Sequence, residues 1–456
     1  MRRFDPHRIA GRFVSEHQMK KPSFRPLLTA TAAACLLPAA ALHAQTTLQS
    51  PGGQPGESAA QPAGQGMSTP MGTSMTVSPA ASISQPFPPV SSAYDAEREG
   101  LHFRGIAGIE RDSNVTRVSS NKISDTITQL GLGLRFNKRY GLQRIVLDGE
   151  YDHYDFDKLS TKYNTVNYAA AWYWAVGNVL DGVASADRRQ FRDVSINSAG
   201  SGTINRRTER NELLEGRYKL GAAWRVLAGV QHTDAKSTDP TVSWDGDPSV
   251  NSTRLGVQYE SATGSTITGR YRHGSGDYQV GLAPSFKDNE TEVAVHYVLS
   301  PKTALDGRVA QFKREHDGSP ARNFDGTVAG LSAIWDATAK TRLVAGYAHD
   351  LGSYLGGTGG HLESDRYYIT PTFRFTEQTS ANFRYEHENR KFEDVTGSAT
   401  DVGRTDKFNV AAIGVDWQPR RTIGVSAQYR NERRTSSLPG FDYRANVIGL
   451  AVKLTL

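Results

Sequence analysis

The chain of 456 residues is too long for one small domain and, with 38% hydrophobic residues, too polar on average for a bundle of transmembrane helices. Its 53 Lys and Arg against 47 Asp and Glu leave a net charge of +6, an excess too small on so evenly mixed a background to point to nucleic acid. The 44 glycines and 19 tyrosines favour many short strands with tight turns, and the single cysteine, Cys35, excludes disulfides and cysteine-built metal sites from the rest of the chain.

The N-terminus reads as an address. A basic stretch (Lys20, Lys21, Arg25) precedes an apolar run from Leu27 to Leu42 and a Leu-His-Ala-Gln sequence at 42–45. This is the pattern of a secretory signal peptide spanning residues 1–44, or starting at Met19, with the cut after Ala44. A lipoprotein reading would use Cys35, but the apolar run continues past it. Residues 45–97 are Pro, Gly, Ser and Gln-rich and cannot bury enough apolar surface to offset their ordering entropy, so they are expected to form a disordered periplasmic leader.

Residues 98–456 alternate apolar and polar with period two, the signal of half-buried strands. Leu130, Leu132, Leu134 and Phe136 share one face of a strand, and Gln129, Gly131, Gly133 and Arg135 the other. Short turns at 137–141, 176–178, 220–221, 261–264, 300–302, 337–340, 376–379 and 418–421 alternate with longer polar connections. These include 113–125, 192–205, 233–251, 274–289, 349–365, 392–406 and 433–442. Strict short-long alternation predicts an all-β fold: a transmembrane, antiparallel, up-and-down outer-membrane β-barrel of 16 to 18 strands, about 18 by count, with tight turns in the periplasm and longer loops outside. A barrel of that size is expected to leave an aqueous lumen rather than a side-chain core.

Aromatic residues orient it. Trp174, Trp224, Trp335 and Trp417 sit on the apolar face close to short turns. Tyr151, Tyr271, Tyr347, Tyr367, Tyr385 and Tyr429 sit on that face near the long connections. The two sets are expected to form girdles against outer-membrane lipid. A soluble β-sandwich would also alternate but has no reason to segregate Trp and Tyr. On the opposite face lie Arg104, Arg144, Asp148, Glu150, Asp152, Arg217, Arg270, Arg272, Arg308, Arg384, Glu386, Arg390 and Arg430. They read either as a cross-strand salt-bridge lattice or as a polar track for an anionic or hydroxyl-rich solute.

Catalytic and metal signals are weak, and no cofactor is implied. His273-Gly-Ser275 resembles the His-x-Ser of outer-membrane phospholipases, but no residue to orient the histidine is identifiable from sequence. Asp245-Gly-Asp247 offers calcium-ligating oxygens without the spacing of a calcium loop. The chain is therefore expected not to be an enzyme.

The stretch Phe103-Arg104-Gly105-Ile106-Ala107-Gly108-Ile109-Glu110-Arg111, closing on Asp112-Ser113-Asn114-Val115, resembles the opening strand of the EpsL-like outer-membrane barrels of exosortase and PEP-CTERM-associated polysaccharide biosynthesis. The likeness extends through Tyr151-Asp-His-Tyr154 and Trp172-Tyr-Trp174. The resemblance implies participation in exopolysaccharide export or assembly, with polysaccharide in the lumen and periplasmic and inner-membrane export proteins as partners. It brings no catalytic residues. The alternatives are a general or solute-selective porin, a structural or adhesive surface barrel, and an outer-membrane lipase.

Overall fold

The computed structural model describes residues 99–193, 204–281, 283–399 and 401–456. The expected signal peptide, with Cys35, and the expected leader lie outside the described residues. The strands are β1 (Gly100–Asp112), β2 (Asp125–Tyr140), β3 (Gln143–Phe156), β4 (Thr161–Val176), β5 (Leu180–Asp193), β6 (Asn205–Lys219), β7 (Trp224–Ser237), β8 (Pro248–Glu260) and β9 (Thr266–Tyr278). They continue with β10 (Phe286–Ser300), β11 (Thr303–His316), β12 (Phe324–Thr338), β13 (Thr341–Ser353), β14 (Gly359–Arg374), β15 (Thr379–Thr396), β16 (Thr405–Arg420), β17 (Ile423–Ser436) and β18 (Tyr443–Thr455).

Each strand pairs antiparallel with the next, and β18 returns to β1, closing an 18-stranded barrel without a free edge. At the seam, Leu456 N–H donates to the Phe103 carbonyl at 2.9 Å, and Phe103 N–H to the Leu456 carbonyl at 3.0 Å. Closure satisfies the backbone groups inside the sheet, the condition for strands to cross a bilayer. The eight short turns occur at or beside the expected positions, although residues 137–140 and 418–420 belong to β2 and β16; at the β4–β5 turn, Gly177 takes a φ of 60°, which a side chain would resist.

Period two decides which side chain meets which medium. On β2, Leu130 and Leu132 are 56% and 71% exposed on the outer face, while Gln129 and Arg135 are buried inside. The same parity exposes Val293 and Val309, Ile413, Ile448 and Leu450 on other strands. An apolar band of this kind belongs in hydrocarbon, where a charge at mid-depth costs about 2–4 kcal/mol. The protein is an outer-membrane β-barrel.

Two sequence expectations need correction. The long connections are shorter than their polar stretches: the link predicted over 349–365 narrows to 354–358 and that over 274–289 to 279–285. Strands run from 13 to 18 residues, whereas about 9–11 suffice to cross a bilayer. The change to polar sequence marks the exit from lipid, not the end of strand pairing. The second correction concerns the lumen. Toward the long-loop end the inner face carries buried apolar clusters: Val115, Ile127, Tyr154, Phe156 and Tyr163 in one, and Phe312, Phe324, Val328 and Leu351 in another. There the barrel has a side-chain core.

Candidate functional site

Inner-facing residues nearer the short turns are only partly buried, as at Arg144, Asp148, Glu150, Ala171, Tyr173, His296, Asp306, Gly346, Tyr368 and Arg384. This half forms a polar vestibule. The inner wall carries a lattice of opposite charges, some paired within a strand, some between neighbouring strands, and one reaching from β1 across β2 to β3. Arg104 grips Asp148 with two hydrogen bonds of 3.0 and 2.6 Å and lies 3.6 Å from Glu150. Arg144 donates to Asn137 at 3.1 Å, and Asp152 accepts from Gln129 at 2.9 Å. Arg217 pairs with Asp181. Arg270 reaches Glu292 at 3.3 Å, Arg272 reaches Glu290 at 2.7 Å, and Arg308 bridges both glutamates at 2.9 and 2.8 Å. Arg384 donates to Glu386 at 3.2 Å, Arg390 to Glu388 at 2.6 Å, and Arg430 to Glu432 at 2.6 Å. Apart from Arg144, these guanidinium groups are engaged by carboxylates, and the partly exposed pairs present a wall of locally neutralised charge.

The outer mouth is built differently. The β7–β8 connection, residues 238–247, folds inward and carries Trp244, which is 1% exposed. Trp244 packs with Tyr354 from the β13–β14 loop, Leu362 of β14, and Phe392 and Val395 of β15. Six strands separate the two loops along the wall, yet Leu355 N–H donates to the Trp244 carbonyl at 2.9 Å. At the bend, Gly246 has a φ of 78°, in the left-handed region that favours glycine, and a Cβ there would push Leu355 Cδ1 aside and come within 3.0 Å of the Tyr278 ring.

Charge straps the loop down. Arg207, 1% exposed on β6, donates to Asp245 at 3.0 and 2.6 Å and to Asp247 at 3.3 Å. Asp247 also accepts from Ser237 N–H at 2.6 Å and Ser243 Oγ at 2.7 Å. The proposed calcium ligands are thus satisfied by an arginine and hydroxyls. Among the described residues no group of three or more His, Cys, Asp or Glu is placed to hold a metal ion.

A second strap crosses from the β1–β2 loop. Arg117 donates to Asp112 at 2.8 and 2.6 Å and to Glu432 of β17 at 2.7 Å, and Arg192 of β5 reaches Asp112 at 3.2 Å. Burial disfavours the charged form of Arg117, but Asp112 and Glu432 outweigh it and hold the guanidinium well above its ordinary value. At Tyr354, burial and the adjacent Asp401 push the phenol well up, keeping it neutral within the plug. The sequence reading missed this plug. Trp244, the one tryptophan that is neither on the apolar face nor near a short turn, was the available signal.

On the outer face, Trp224, Trp335 and Trp417 are about half exposed (50%, 49% and 50%) near the short turns, joined by Trp172 at 48%. Trp174 instead leans along the wall over Gly182, where a Cβ would come within 2.4 Å of its ring. Tyr151, Tyr271, Tyr367, Tyr385 and Tyr429 are exposed toward the long loops, and the Tyr347 ring packs at a tilt against that of Tyr367, with centroids 4.8 Å apart. Tyr140, Tyr218, Tyr259 and Tyr297 are exposed at the short-turn end, so tyrosine occurs at both rims.

His273 Nδ1 lies 2.9 Å from Asn289 Oδ1, a partner that the sequence did not reveal. The same pairing recurs at His153–Asn164 (2.7 Å), His232–Asn251 (2.9 Å) and His387–Asn409 (2.9 Å), where no serine stands two residues on. No hydrogen bond joins His273 to Ser275. The pairing is a structural repeat of the outer rim and not a nucleophile with its base.

A family model described as putative beta-barrel porin 2 matches residues 312–456. Among solved structures, similar barrels include the outer membrane protein OpdK from Pseudomonas aeruginosa, at 11% identity over 78% of this chain and 99% of that one, TM-score 0.44. OccK2 (OpdF) from the same organism, in complex with glucuronate, shows 13% identity over 78% and 97%, TM-score 0.45. OccAB4 from Acinetobacter baumannii shows 9% over 79% and 99%, TM-score 0.41. No curated protein matches. These findings overturn the resemblance to EpsL-like polysaccharide-biosynthesis barrels: the matched model is that of a porin, and it lies in the C-terminal third and not in the opening strands. The exopolysaccharide reading is withdrawn with it. The Asp-Ser-Asn-Val close has a local explanation. Asp112 accepts from Asn114 N–H at 2.9 Å, Asn114 Nδ2 donates to the Val118 carbonyl at 2.8 Å, and Val115 enters the core, so the motif shapes an inward-folding loop.

Proposed function

We propose that this chain is a non-enzymatic porin that passes small hydrophilic solutes across the outer membrane, its traffic limited by the loops folded into its outer mouth. The observation that carries the reading is the closed 18-stranded wall with an apolar exterior and a charged interior. The match of residues 312–456 to a porin model supports it. Such a wall favours hydrated solutes over apolar ones, because its partly exposed pairs, such as Arg104 with Asp148 and Arg217 with Asp181, present hydrogen-bonding groups of both signs. The N-terminal segment supports export: the basic stretch, apolar run and Ala44 fit a signal peptide removed in passage, leaving residues 45–97 as a periplasmic leader. The partner this reading requires is membrane lipid.

Protein extracted from outer membranes and placed in planar bilayers is expected to conduct ions in small, brief openings, and its N-terminal residue is expected to be Gln45. A large, steady conductance would contradict an occluded mouth. Complete silence, persisting after the plug is removed, would refute the porin reading.

A further inference from the structure

We infer that the outer rim of β16, β17 and β18 binds the phosphate of an outer-leaflet glycolipid. Arg433 and Arg444 are both exposed on the lipid-facing register and stand directly opposite one another in the β17–β18 pairing. Lys407 is one diagonal step away on β16, since Asn409 pairs with Arg433 and Lys407 with Thr435. Like charges facing each other across a sheet are destabilising, and a bound anion would relieve that repulsion. The acids of these strands do not. Asp406 and Glu432 point to the inner face, where Arg404, Arg434, Arg430 and Arg117 hold them. Asp442, an exposed acid in the β17–β18 connection, accepts from Ser436 N–H at 2.8 Å. Among the described residues no carboxylate forms an ion pair with Lys407, Arg433 or Arg444.

Two amides complete the site. Asn446 Oδ1 accepts from Tyr429 Oη at 3.0 Å and from Asn431 Nδ2 at 2.7 Å. Asn409 Oδ1 accepts from Tyr385 Oη at 3.2 Å and lies 2.9 Å from His387 Nδ1. With their oxygens committed to the wall, both amides offer their NH2 groups as donors beside the cations. Two guanidinium forks, one ammonium and two amide donors suit phosphate oxygens. Lipid, and not dissolved phosphate, is indicated by what lies below on the same face: Ile413, Ile448 and Leu450 are 51%, 61% and 49% exposed, a column of apolar surface for acyl chains beneath the headgroup. The β15–β18 end with the long loops faces the outer leaflet.

The test uses full-length protein in detergent, with binding read by native mass spectrometry. Bis-phosphorylated lipid A is the probe, with its dephosphorylated form and inorganic phosphate as the other two arms. Wild type is expected to retain the phosphorylated lipid, and Lys407→Gln/Arg433→Gln/Arg444→Gln to bind it at least about tenfold more weakly, as loss of charge-assisted hydrogen bonds requires. Lys302→Gln/Lys340→Gln, at the opposite rim, is expected to bind as wild type. Folding of each variant is checked by heat-modifiable gel migration, and Arg444→Gln alone serves if the triple variant does not fold. Equal binding of the dephosphorylated lipid, undiminished binding by the rim variants, or displacement by inorganic phosphate at concentrations comparable to the lipid would overturn the proposal. The site does not depend on what crosses the barrel: the triple variant is expected to leave conductance unchanged, so this proposal and the porin reading fail separately.

Discussion

Replacing residues 239–246 by a Gly-Ser-Gly link is expected to raise single-channel conductance several-fold over that of the intact protein. The segment joins Ser237 at the end of β7 to Pro248 at the start of β8, and it carries Trp244 across to Tyr354, Leu362, Phe392 and Val395. Its removal takes away the one described bridge between the β7–β8 and β13–β14 loops, the Leu355-to-Trp244 hydrogen bond included. Arg207 would lose Asp245 but keep Asp247 at 3.3 Å and Glu209 at 3.1 Å, so it is not left as a bare buried charge. The wall strands keep their pairing. Trp244→Ala is the milder form: truncating a fully buried indole costs about 3–5 kcal/mol of local packing, enough to populate open states. Conductance in planar bilayers decides the point, and values unchanged by the loop replacement would show that the plug does not obstruct the path.

Arg117→Met is expected to destabilise the barrel by about 3–5 kcal/mol, read as a lower urea midpoint in detergent micelles. The guanidinium is 4% exposed as a residue and holds two carboxylates, Asp112 and Glu432, that are themselves 0% and 1% exposed. Methionine fills the volume but leaves both anions short of a counter-charge in a medium that hydrates them poorly. Asp112 retains Arg192 at 3.2 Å and Glu432 retains Arg430 at 2.6 Å, which limits the loss without cancelling it. The contrast is Lys162→Met, which breaks the exposed pair with Asp155. Water already solvates both groups there, and the change is expected to cost under about 1 kcal/mol. Equal losses for the two variants would mean that Arg117 is not sealed from water. The buried strap also has a consequence for function, since it fixes the β1–β2 loop inward beside the mouth.

Much of the wall was legible because lipid imposes a simple rule. The residues of β2 illustrate it: Leu130, Leu132 and Leu134 had to face hydrocarbon, and period two then put Gln129 and Arg135 inside. Turn chemistry at Gly141, Gly177 and Gly264 marked one rim with no knowledge of the other strands. The candidate site was less legible. The inner arginines could be named from parity alone, but whether Arg308 served a solute or bridged Glu290 and Glu292 depended on which strands stood beside β11, and pairing is not written in any one segment.

The sequence by itself determined the strand count, the direction of each face and the rim at which the chain turns tightly, because those follow from local alternation and local backbone preference against a fixed apolar medium. The tertiary structure alone decided that the outer half is filled. Trp244 and Phe392 are about 150 residues apart along the chain, and the inward-facing phenylalanines of β10, β11, β12 and β15 look in sequence like exceptions to a polar lumen. They become a core only when closure of the barrel brings the loops over them and water is expelled, a gain that depends on contacts among distant segments and leaves no periodic mark in any of them.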